Sequence, residues 1–400
     1  MHQHHDQARP SRLTQAHVSS MTRVGVVAGG GPAKADLTLG AHPPTGARCQ
    51  MSRSKLCMTV LNGLVAAMAA MTSATLLAAE IRGAGATFPA PVYVAWSNAA
   101  ARAGGDRLRY DPVGSRAGIA AIIARTVDFG ASDIPLSAQE LQSGDLVQFP
   151  AVIGGVVPVV NMAGVRPGAL RLTGEVLAKI YLGEIRKWND RAIAELNPGL
   201  RLPAARITVV HRDDASGTSW LWTSYLSHSS GAWNEYIGTS AAPAWPVGVG
   251  GTGNEGVASY VQRTRFALGY VEYAYARRHR LSDAALRNGN GEFVTAGLTT
   301  FAAAATSVDW STTTQFVQMP VDPPGKEAWP ITGMSFVLIP RHAQRPLATR
   351  AVLQFFARSL AGGQRIAREL DYETLPPGAV ERIHVLWHEV QDPDGRPLWP

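Results

Sequence analysis

The chain has 400 residues, of which 46% are hydrophobic and 17% charged, a balance that excludes an intrinsically disordered protein and allows two globular domains. The formal net charge of +7 would suggest nucleic acid as a partner if it were evenly spread. Residues 1–79 contain seven Lys and Arg but two Asp and Glu, so the rest of the chain carries only about +2. The charge therefore gives no support for nucleic-acid binding.

The first fifty residues have no helical or strand periodicity and are rich in Gly, Pro and Ala. The segment HQHH at 2–5 contains metal-ligating side chains, but on a terminal tail we interpret it as a solvated tract. We expect residues 1–50 to be a disordered or non-native upstream extension, with Met51 as the true first residue.

Residues 51–79 have the layout of a secretory signal peptide. Arg53 and Lys55 form a short basic region, and no further charge follows until Glu80. The uncharged run is rich in alanine and ends in small residues, which predicts cleavage after Ala79.

An uncleaved membrane anchor is the alternative interpretation of this run, but polar residues such as Asn62 and Thr72 make it a poor anchor. Both cysteines, Cys49 and Cys57, precede the predicted cleavage site. We therefore expect the mature chain to have no disulfide and no cysteine-ligated metal.

From Glu80 onward, strand-like and helix-like segments alternate, which predicts an α/β fold with largely parallel pairing. The predicted strands are 107–113, 126–132, 149–162, 206–211, 267–276 and 335–340. Three predicted helices carry apolar residues at helical spacing: Val92, Ala95, Trp96 and Ala99; Ile119, Ile122 and Ile123; Leu221, Tyr225 and Leu226.

Each of these helices opens with a glycine-rich or hydroxyl-bearing element, at 83–88, 113–118 and 214–219. Ser and Thr at such positions are ordinary helix caps. However, helix starts also present free N–H groups to anions, and Arg212 adds a cation beside one of them. The pattern leaves both interpretations open, capping alone or an oxyanion site.

Ser216 is the one candidate nucleophile in this pattern. The local sequence is Asp214-Ala215-Ser216-Gly217, without the first glycine of the Gly-x-Ser-x-Gly elbow. His211 lies on the strand side, where it is poorly placed to act as a base for Ser216. A catalytic role is therefore the weaker hypothesis.

Two other short motifs carry little weight. The segment GVGGTG at 248–253 matches a dinucleotide-binding pattern by letter, but no clear strand precedes it, and we interpret it as a structural turn. The segment WHE at 387–389 lacks the second histidine of a zinc-protease helix. Neither segment supports nucleotide hydrolysis or metal catalysis.

The chain resembles the periplasmic phosphate-binding proteins of Pst-type phosphate ABC transporters. The matching stretches run in the family's order from Gly83 to the C-terminus: GAGATFPAPVY, ARTVDFGASDIPLS, QFPAVIGGVVPVVN, IYLGEIRKWND, LNPGLRLP, DASGTS, GNEGVASYVQ, GYVEYAYA, AWPIT and LDYETLPP. Together they are far more specific than any one motif.

The resemblance implies a set of phosphate ligands, each matching the family's residue type. They are Thr87, Phe88, Ser115, Asp133, Arg212, Ser216, Gly217 and Thr218. Asp214 resembles the family's acid that pairs with and orients the arginine.

Asp133 has a selective role in this interpretation. Phosphate near neutral pH keeps a proton that it can donate to the carboxylate, whereas sulfate has none, so sulfate leaves a buried acceptor unpaired. Three residues depart from the family pattern, namely Arg116 after Ser115, Asp213 beside Arg212, and His211 in place of a frequent basic residue.

The implied fold is a type II periplasmic binding protein, in which each lobe is a mixed β-sheet flanked by helices and the ligand lies in the hinge cleft. Residues 80–158 and 328–400 would form lobe 1, and 159–327 lobe 2, with chain crossings near 157–160 and 328.

The implied function is to bind inorganic phosphate in the periplasm, as a monomer with no cofactor or metal, and to deliver it to ABC permease subunits that have an associated ATPase. It is not an enzyme. The alternatives are a protein for another tetrahedral oxyanion or a phosphate ester, or a phosphatase or hydrolase that uses Ser216.

Overall fold

The computed structural model describes residues 80–310, 316–317 and 319–400. The predicted extension (1–50), signal peptide (51–79) and cleavage site after Ala79 lie outside the described residues.

The described strands are β1 Glu80–Gly85, β2 Arg107–Asp111, β3 Phe129–Ser132, β4 Leu146–Val160, β5 Arg171–Leu172, β6 Thr208–Arg212, β7 Val249–Gly251, β8 Ala267–Glu272, β9 Ser282–Asp283, β10 Ala285–Arg287, β11 Phe293–Val294 and β12 Thr332–Pro340. The described helices are α1 Ala90–Arg102, α2 Ser115–Ile123, α3 Ala138–Ser143, α4 Gly174–Tyr181, α5 Arg191–Ala194, α6 Gly217–Ser229, α7 Gly231–Tyr236, α8 Gly253–Arg263, α9 Tyr273–Arg278, α10 Leu298–Ala305, α11 Pro346–Gly362, α12 Gln364–Glu369 and α13 Pro377–Leu386. A 3₁₀ turn covers Trp387–Glu389.

The main sheet has the strand order β2-β1-β3-β12-β4-β8-β6-β7, and β9 also pairs with β4. Its two flanks are parallel, β2-β1-β3 on one side and β8-β6-β7 on the other. The central strands β12 and β4 are antiparallel to their neighbours. The α/β prediction is confirmed, but the expected largely parallel pairing is wrong, because two long returning strands join the parallel flanks into a mixed sheet.

Strand β4 links the two flanks. It is buried along its whole length, as its nearly continuous apolar sequence requires. Its first part pairs with β12 as far as Gly155, and its last part pairs with β8 from Val156 onward. Strand β4 therefore connects the half of the sheet that contains β12 and β2-β1-β3 to the half that contains β8-β6-β7.

The pairing of β12 with β4 is irregular at Ser335 and Phe336, opposite Pro150. Proline has no N–H to donate to a ladder, so a bulge is the expected accommodation. Bulges redirect side chains, and the one here lies beside Asp133, to which Ser335 donates a hydrogen bond.

Two predicted elements need correction. The strand expected over 267–276 ends at Glu272, because the Glu272 carboxylate caps helix α9 by accepting from the N–H of Ala274. The turn expected over 248–253 instead contains strand β7, which pairs in parallel with β6, followed by the start of α8. Residues 249–251 are too short and glycine-rich for a strand signal.

Helices α1 and α6 follow the predicted apolar spacing. Val92, Tyr93 and Trp96 of α1 are buried, as are Leu221 and Tyr225 of α6. Within the described part of the chain, none of the helices combines the length and apolar character needed to cross a bilayer.

Candidate anion-binding site

Two of the three glycine-bracketed helix starts meet directly. The Ser115 hydroxyl, at the first residue of α2, accepts hydrogen bonds from the Gly217 N–H (3.1 Å) and the Asp133 N–H (3.1 Å). The Arg116 N–H donates to the Ala215 carbonyl at 3.4 Å. The starts of α2 and α6, from opposite flanks of the sheet, therefore lie against each other.

Glycine makes this close approach possible. A Cβ on Gly217 would lie 2.3 Å from the Ser115 Oγ and 2.6 Å from the Asp133 carboxylate. Gly114, with φ +94°, faces Asp214 in the same way, with its Cβ position 2.7 Å from Oδ2. Any side chain at either position would separate the two helix starts.

The hydroxyl groups at the three helix starts have different hydrogen-bond partners. Ser216 caps α6, because its Oγ accepts from the Ser219 N–H at 3.1 Å. Ser115 makes no cap hydrogen bond within α2, and the Thr87 hydroxyl faces Asn254 of the other flank. Capping alone therefore explains only one of the three starts.

Thr87 and Phe88 form a buried turn between β1 and α1, and residues distant in sequence hold it in place. The Thr87 carbonyl accepts from the Tyr275 hydroxyl at 2.8 Å. The Phe88 carbonyl accepts from the Tyr372 hydroxyl at 2.7 Å, and Tyr372 also lies 2.9 Å from Glu272 Oε2. These hydrogen bonds hold the turn in place without a ligand.

Arg212 ends strand β6 with its side chain buried. Its Nε donates to Asp214 Oδ1 at 2.6 Å and its Nη2 to Oδ2, while Asp214 also accepts from the Gly253 N–H at 3.0 Å. Burial works to raise the pKa of Asp214, but the hydrogen bonds and charge of Arg212 hold that pKa below its usual value.

One guanidinium nitrogen of Arg212 is left over. Among the described residues, no hydrogen-bond partner contacts the buried Nη1. A buried charged donor without a partner is costly, so it points to a ligand oxygen.

Asp133 follows β3 and is buried. Its Oδ1 accepts from the Ser335 hydroxyl at 2.8 Å, and the Ser115 hydroxyl lies 3.5 Å from Oδ2. Burial raises the pKa of Asp133 to about 7, against the opposing effects of Ser335, Arg212 and Ser115. This carboxyl therefore changes its charge near neutral pH.

We call the residues on the β2-β1-β3 flank (Thr87, Phe88, Ser115 and Asp133) the first half of the site, and those from Arg212 to Thr218 the second half. The structure brings the predicted residues together in this arrangement. It can hold an oxyanion by neutral donors and one cation, while presenting one carboxyl as a proton acceptor.

Several buried polar residues at this site were missed by sequence reasoning. They are Asn254, Glu272, Tyr275, Ser335 and Tyr372. Asn254 follows β7 at a glycine-rich helix start, but that segment predicts only a turn, and all five residues reach the site through contacts distant in sequence. The available signal for four of them was their presence in the stretches GNEGVASYVQ, GYVEYAYA and LDYETLPP, and Ser335 lies in none of these.

The three departures from the family pattern lie at the edge of the site. Arg116 is exposed, and its side chain makes no described ion pair. Asp213 is also exposed and accepts from the Thr252 hydroxyl at 3.3 Å, next to the start of α8. His211 stacks on Trp245, with ring centroids 4.9 Å apart, and burial lowers its pKa.

The nucleophile hypothesis for Ser216 finds no base. Among the described residues, its Oγ contacts only the backbone N–H of Ser219, and His211 Nδ1 lies 3.0 Å from the Arg212 carbonyl. Activation of a serine needs a base within hydrogen-bonding reach.

Most of the chain matches known proteins. Residues 69–357 match the model of the PBP superfamily domain. The chain is 45% identical over 343 residues to the phosphate-binding protein PstS of Pasteurella multocida, covering 86% of this chain and 100% of the relative. It is 47% identical over 308 residues to the PstS protein of Xylella fastidiosa, covering 77% and 85%.

A solved structure has the same fold at low identity. The substrate-binding protein of a putative phosphate ABC transporter from Clostridium perfringens, solved with bound phosphate, superposes with a TM-score of 0.55 at 17% identity. The match covers 74% of this chain and 100% of that chain.

Proposed function

This chain belongs to the family of the PstS phosphate-binding proteins, and we propose that its own cleft binds inorganic phosphate through the two halves of the site. It is a binding protein that serves an ABC importer, and not an enzyme. Phosphate is its ligand, and no cofactor is required.

One observation carries the site proposal. Arg212 has a free Nη1, and its charge acts on the buried Asp133 carboxyl, lowering its pKa against the effect of burial. Ser115 in turn joins Asp133 to Gly217 at the start of α6. A cation alone would accept any oxyanion. The carboxyl beside it accepts a proton that phosphate carries and sulfate lacks.

The proposed ligands divide by chemistry. Arg212 Nη1 supplies charge, and the first turn of α6, including Gly217 and Thr218, supplies N–H and hydroxyl donors. The Ser216 oxygen accepts from Ser219, and among the described residues no acceptor contacts its proton, which is available to a ligand. Thr87, Phe88 and Ser115 complete the donors, and Asp133 is the acceptor.

We also propose that the flanks of the sheet are lobes, with residues 80–158 and 328–400 in lobe 1 and 159–327 in lobe 2. The change of partner along β4, from β12 to β8, supports a hinge at the centre of the sheet. Phosphate favours closure because only the closed arrangement lets it contact both halves.

We further propose that the chain is exported through its signal peptide, which is cleaved after Ala79. It then works in the periplasm as a monomer and delivers phosphate to permease subunits with an associated ATPase. These steps follow from the leader pattern and from the family.

Isothermal titration calorimetry tests the ligand. We expect phosphate to bind at pH 8 with one site per chain, and sulfate to bind at least about 10-fold more weakly, because the ionised Asp133 carboxylate repels an oxyanion that has no proton to share with it. Equal affinity for the two anions, or no phosphate binding, would overturn the proposal.

A further inference from the structure

Asn254 occupies a fully buried position in the first turn of α8, where it touches both halves of the site. Its Oδ1 accepts from the Glu272 N–H at 3.0 Å. Because that N–H can only donate, the orientation of the amide is fixed, with Nδ2 on the opposite side.

The amide nitrogen donates to one threonine from each half of the site. Nδ2 donates to Thr87 Oγ1 at 2.8 Å and to Thr218 Oγ1 at 3.2 Å, so both of its hydrogens are used. The backbone N–H of Asn254 also donates to Thr87 Oγ1, at 3.3 Å.

These contacts set the polarity of the Thr87 hydroxyl. A hydroxyl has two lone pairs and one proton, and here both lone pairs accept from Asn254. Thr87 can therefore act only as a donor toward anything else. Within the described residues no acceptor contacts its proton, which leaves that proton for a ligand.

Thr218 is arranged in a similar way. It is fully buried, one lone pair of its oxygen accepts from Asn254, and among the described residues no acceptor contacts its proton, which is left for a ligand. An oxyanion offers only acceptors where it is not protonated, so a hydroxyl fixed as a donor suits it, whereas a freely rotating one would have to be ordered on binding.

We propose that Asn254 is a positioning residue, which fixes the hydroxyls of Thr87 and Thr218 as donors to the bound anion and joins the two halves of the site when it closes. This inference rests on the proposed phosphate binding. It assigns to Asn254 no contact with the anion itself.

Asparagine is suited to this task because its amide accepts on one side and donates on the other. An ionised aspartate of the same shape would accept on both sides, and the threonine protons would turn toward it and away from the anion. Alanine would leave the Glu272 N–H and Thr218 without their partner, and Thr87 with only the backbone N–H of residue 254.

A double-mutant cycle with inorganic phosphate as the probe tests the assignment by calorimetry. We expect Asn254→Ala to weaken phosphate binding by about 10-fold or more in the parent chain. In a Thr87→Val background the same change should cost only about threefold, because its main route of action is gone. An equal loss in both backgrounds would overturn the inference.

Asn254→Asp provides the second variant, because its shape keeps the fold where alanine fails. At pH 8 we expect it to bind phosphate more weakly than Asn254→Ala does, and the excess should shrink in the Thr87→Val background. A purely structural role predicts the reverse order, with the isosteric aspartate milder, and that result would refute the inference.

Asn197 is the matched control. It is buried, and its amide bonds the Arg171 backbone and the Ile193 carbonyl, neither of which belongs to the site. Asn197→Ala should lower the melting temperature with phosphate affinity unchanged within about twofold. If the parent chain binds no phosphate, the proposed function fails first; if it binds and the cycle is additive, only the role of Asn254 fails.

Discussion

The two halves of the site present groups of opposite charge to an anion. The second half presents Arg212, whose guanidinium is buried, oriented by Asp214 and left with one free nitrogen. The first half presents Asp133, an acid whose pKa is raised to about 7 by burial. The group that attracts an anion and the group that rejects sulfate thus lie on separate elements, which meet where the starts of α2 and α6 are in contact.

This difference teaches how a cleft can be both tight and selective. The arginine half would hold sulfate, phosphate or arsenate alike, because all accept hydrogen bonds and carry negative charge. The aspartate half discriminates by demanding a proton from the ligand. Substitutions in the second half should therefore lower the affinity for all of these anions, whereas substitutions in the first half should change the discrimination between them.

The largest effect is expected from Arg212→Ala. Loss of the buried cation removes its charge-assisted hydrogen bonds and leaves Asp214 without its partner, so phosphate affinity should fall by about 1000-fold, by calorimetry. Arsenate affinity should fall in parallel, since this half does not discriminate. Arg345→Ala, at an exposed arginine that pairs with Asp128 elsewhere, is the control and should leave affinity unchanged.

Gly217→Ala tests whether the halves must touch. The added methyl would lie 2.3 Å from Ser115 Oγ, so the two helix starts would have to separate, and we expect a loss of about 30-fold in phosphate affinity. Gly378→Ala in α13, where nothing lies within 4 Å of the new methyl, should have no effect. Equal behaviour of the two variants would contradict the contact between the halves.

Asp133→Asn should weaken phosphate binding by about 10-fold while strengthening sulfate binding, because the neutral amide can donate to a fully ionised oxyanion. The measurement is the ratio of the two dissociation constants at pH 8. An unchanged ratio would refute the selective role of Asp133.

The smallest effect concerns pH. Because the pKa of Asp133 is raised to about 7, this carboxyl is neutral below that pH and ionised above it. Lowering the pH from 8 to 6 should therefore let a sulfate oxygen accept from it and raise sulfate affinity by about fivefold. Asp133→Asn should abolish this dependence, and a parent chain whose sulfate affinity is flat over this range would argue against the titration.

Much of the fold and of the site could be predicted from the sequence, for physical reasons. Local glycine and hydroxyl residues predict the helix starts at Ser115 and Ser216, and a continuous apolar run predicts β4. The antiparallel course of β12 was not predictable in this way, because strand direction is decided by pairing between distant segments.

The same limit explains the residues missed at the site. Ser335 has no local pattern that marks it, and the glycine-rich segment before Asn254 predicts only a turn. Both gain their roles from distant contacts, Asn254 with Thr87, 167 residues away, and Ser335 with Asp133, 202 residues away. The strand predicted through residue 276 failed for a related reason, since Glu272 turns its carboxylate back to cap α9.

A crystal structure of the chain with phosphate would test the central claim most directly. We expect one tetrahedral anion between the halves, with an oxygen at about 2.7–2.9 Å from Arg212 Nη1 and another at about 2.5–2.7 Å from the Asp133 carboxyl, the lengths of charge-assisted hydrogen bonds. An anion bound elsewhere, or one that contacts Arg212 without approaching Asp133, would contradict the account.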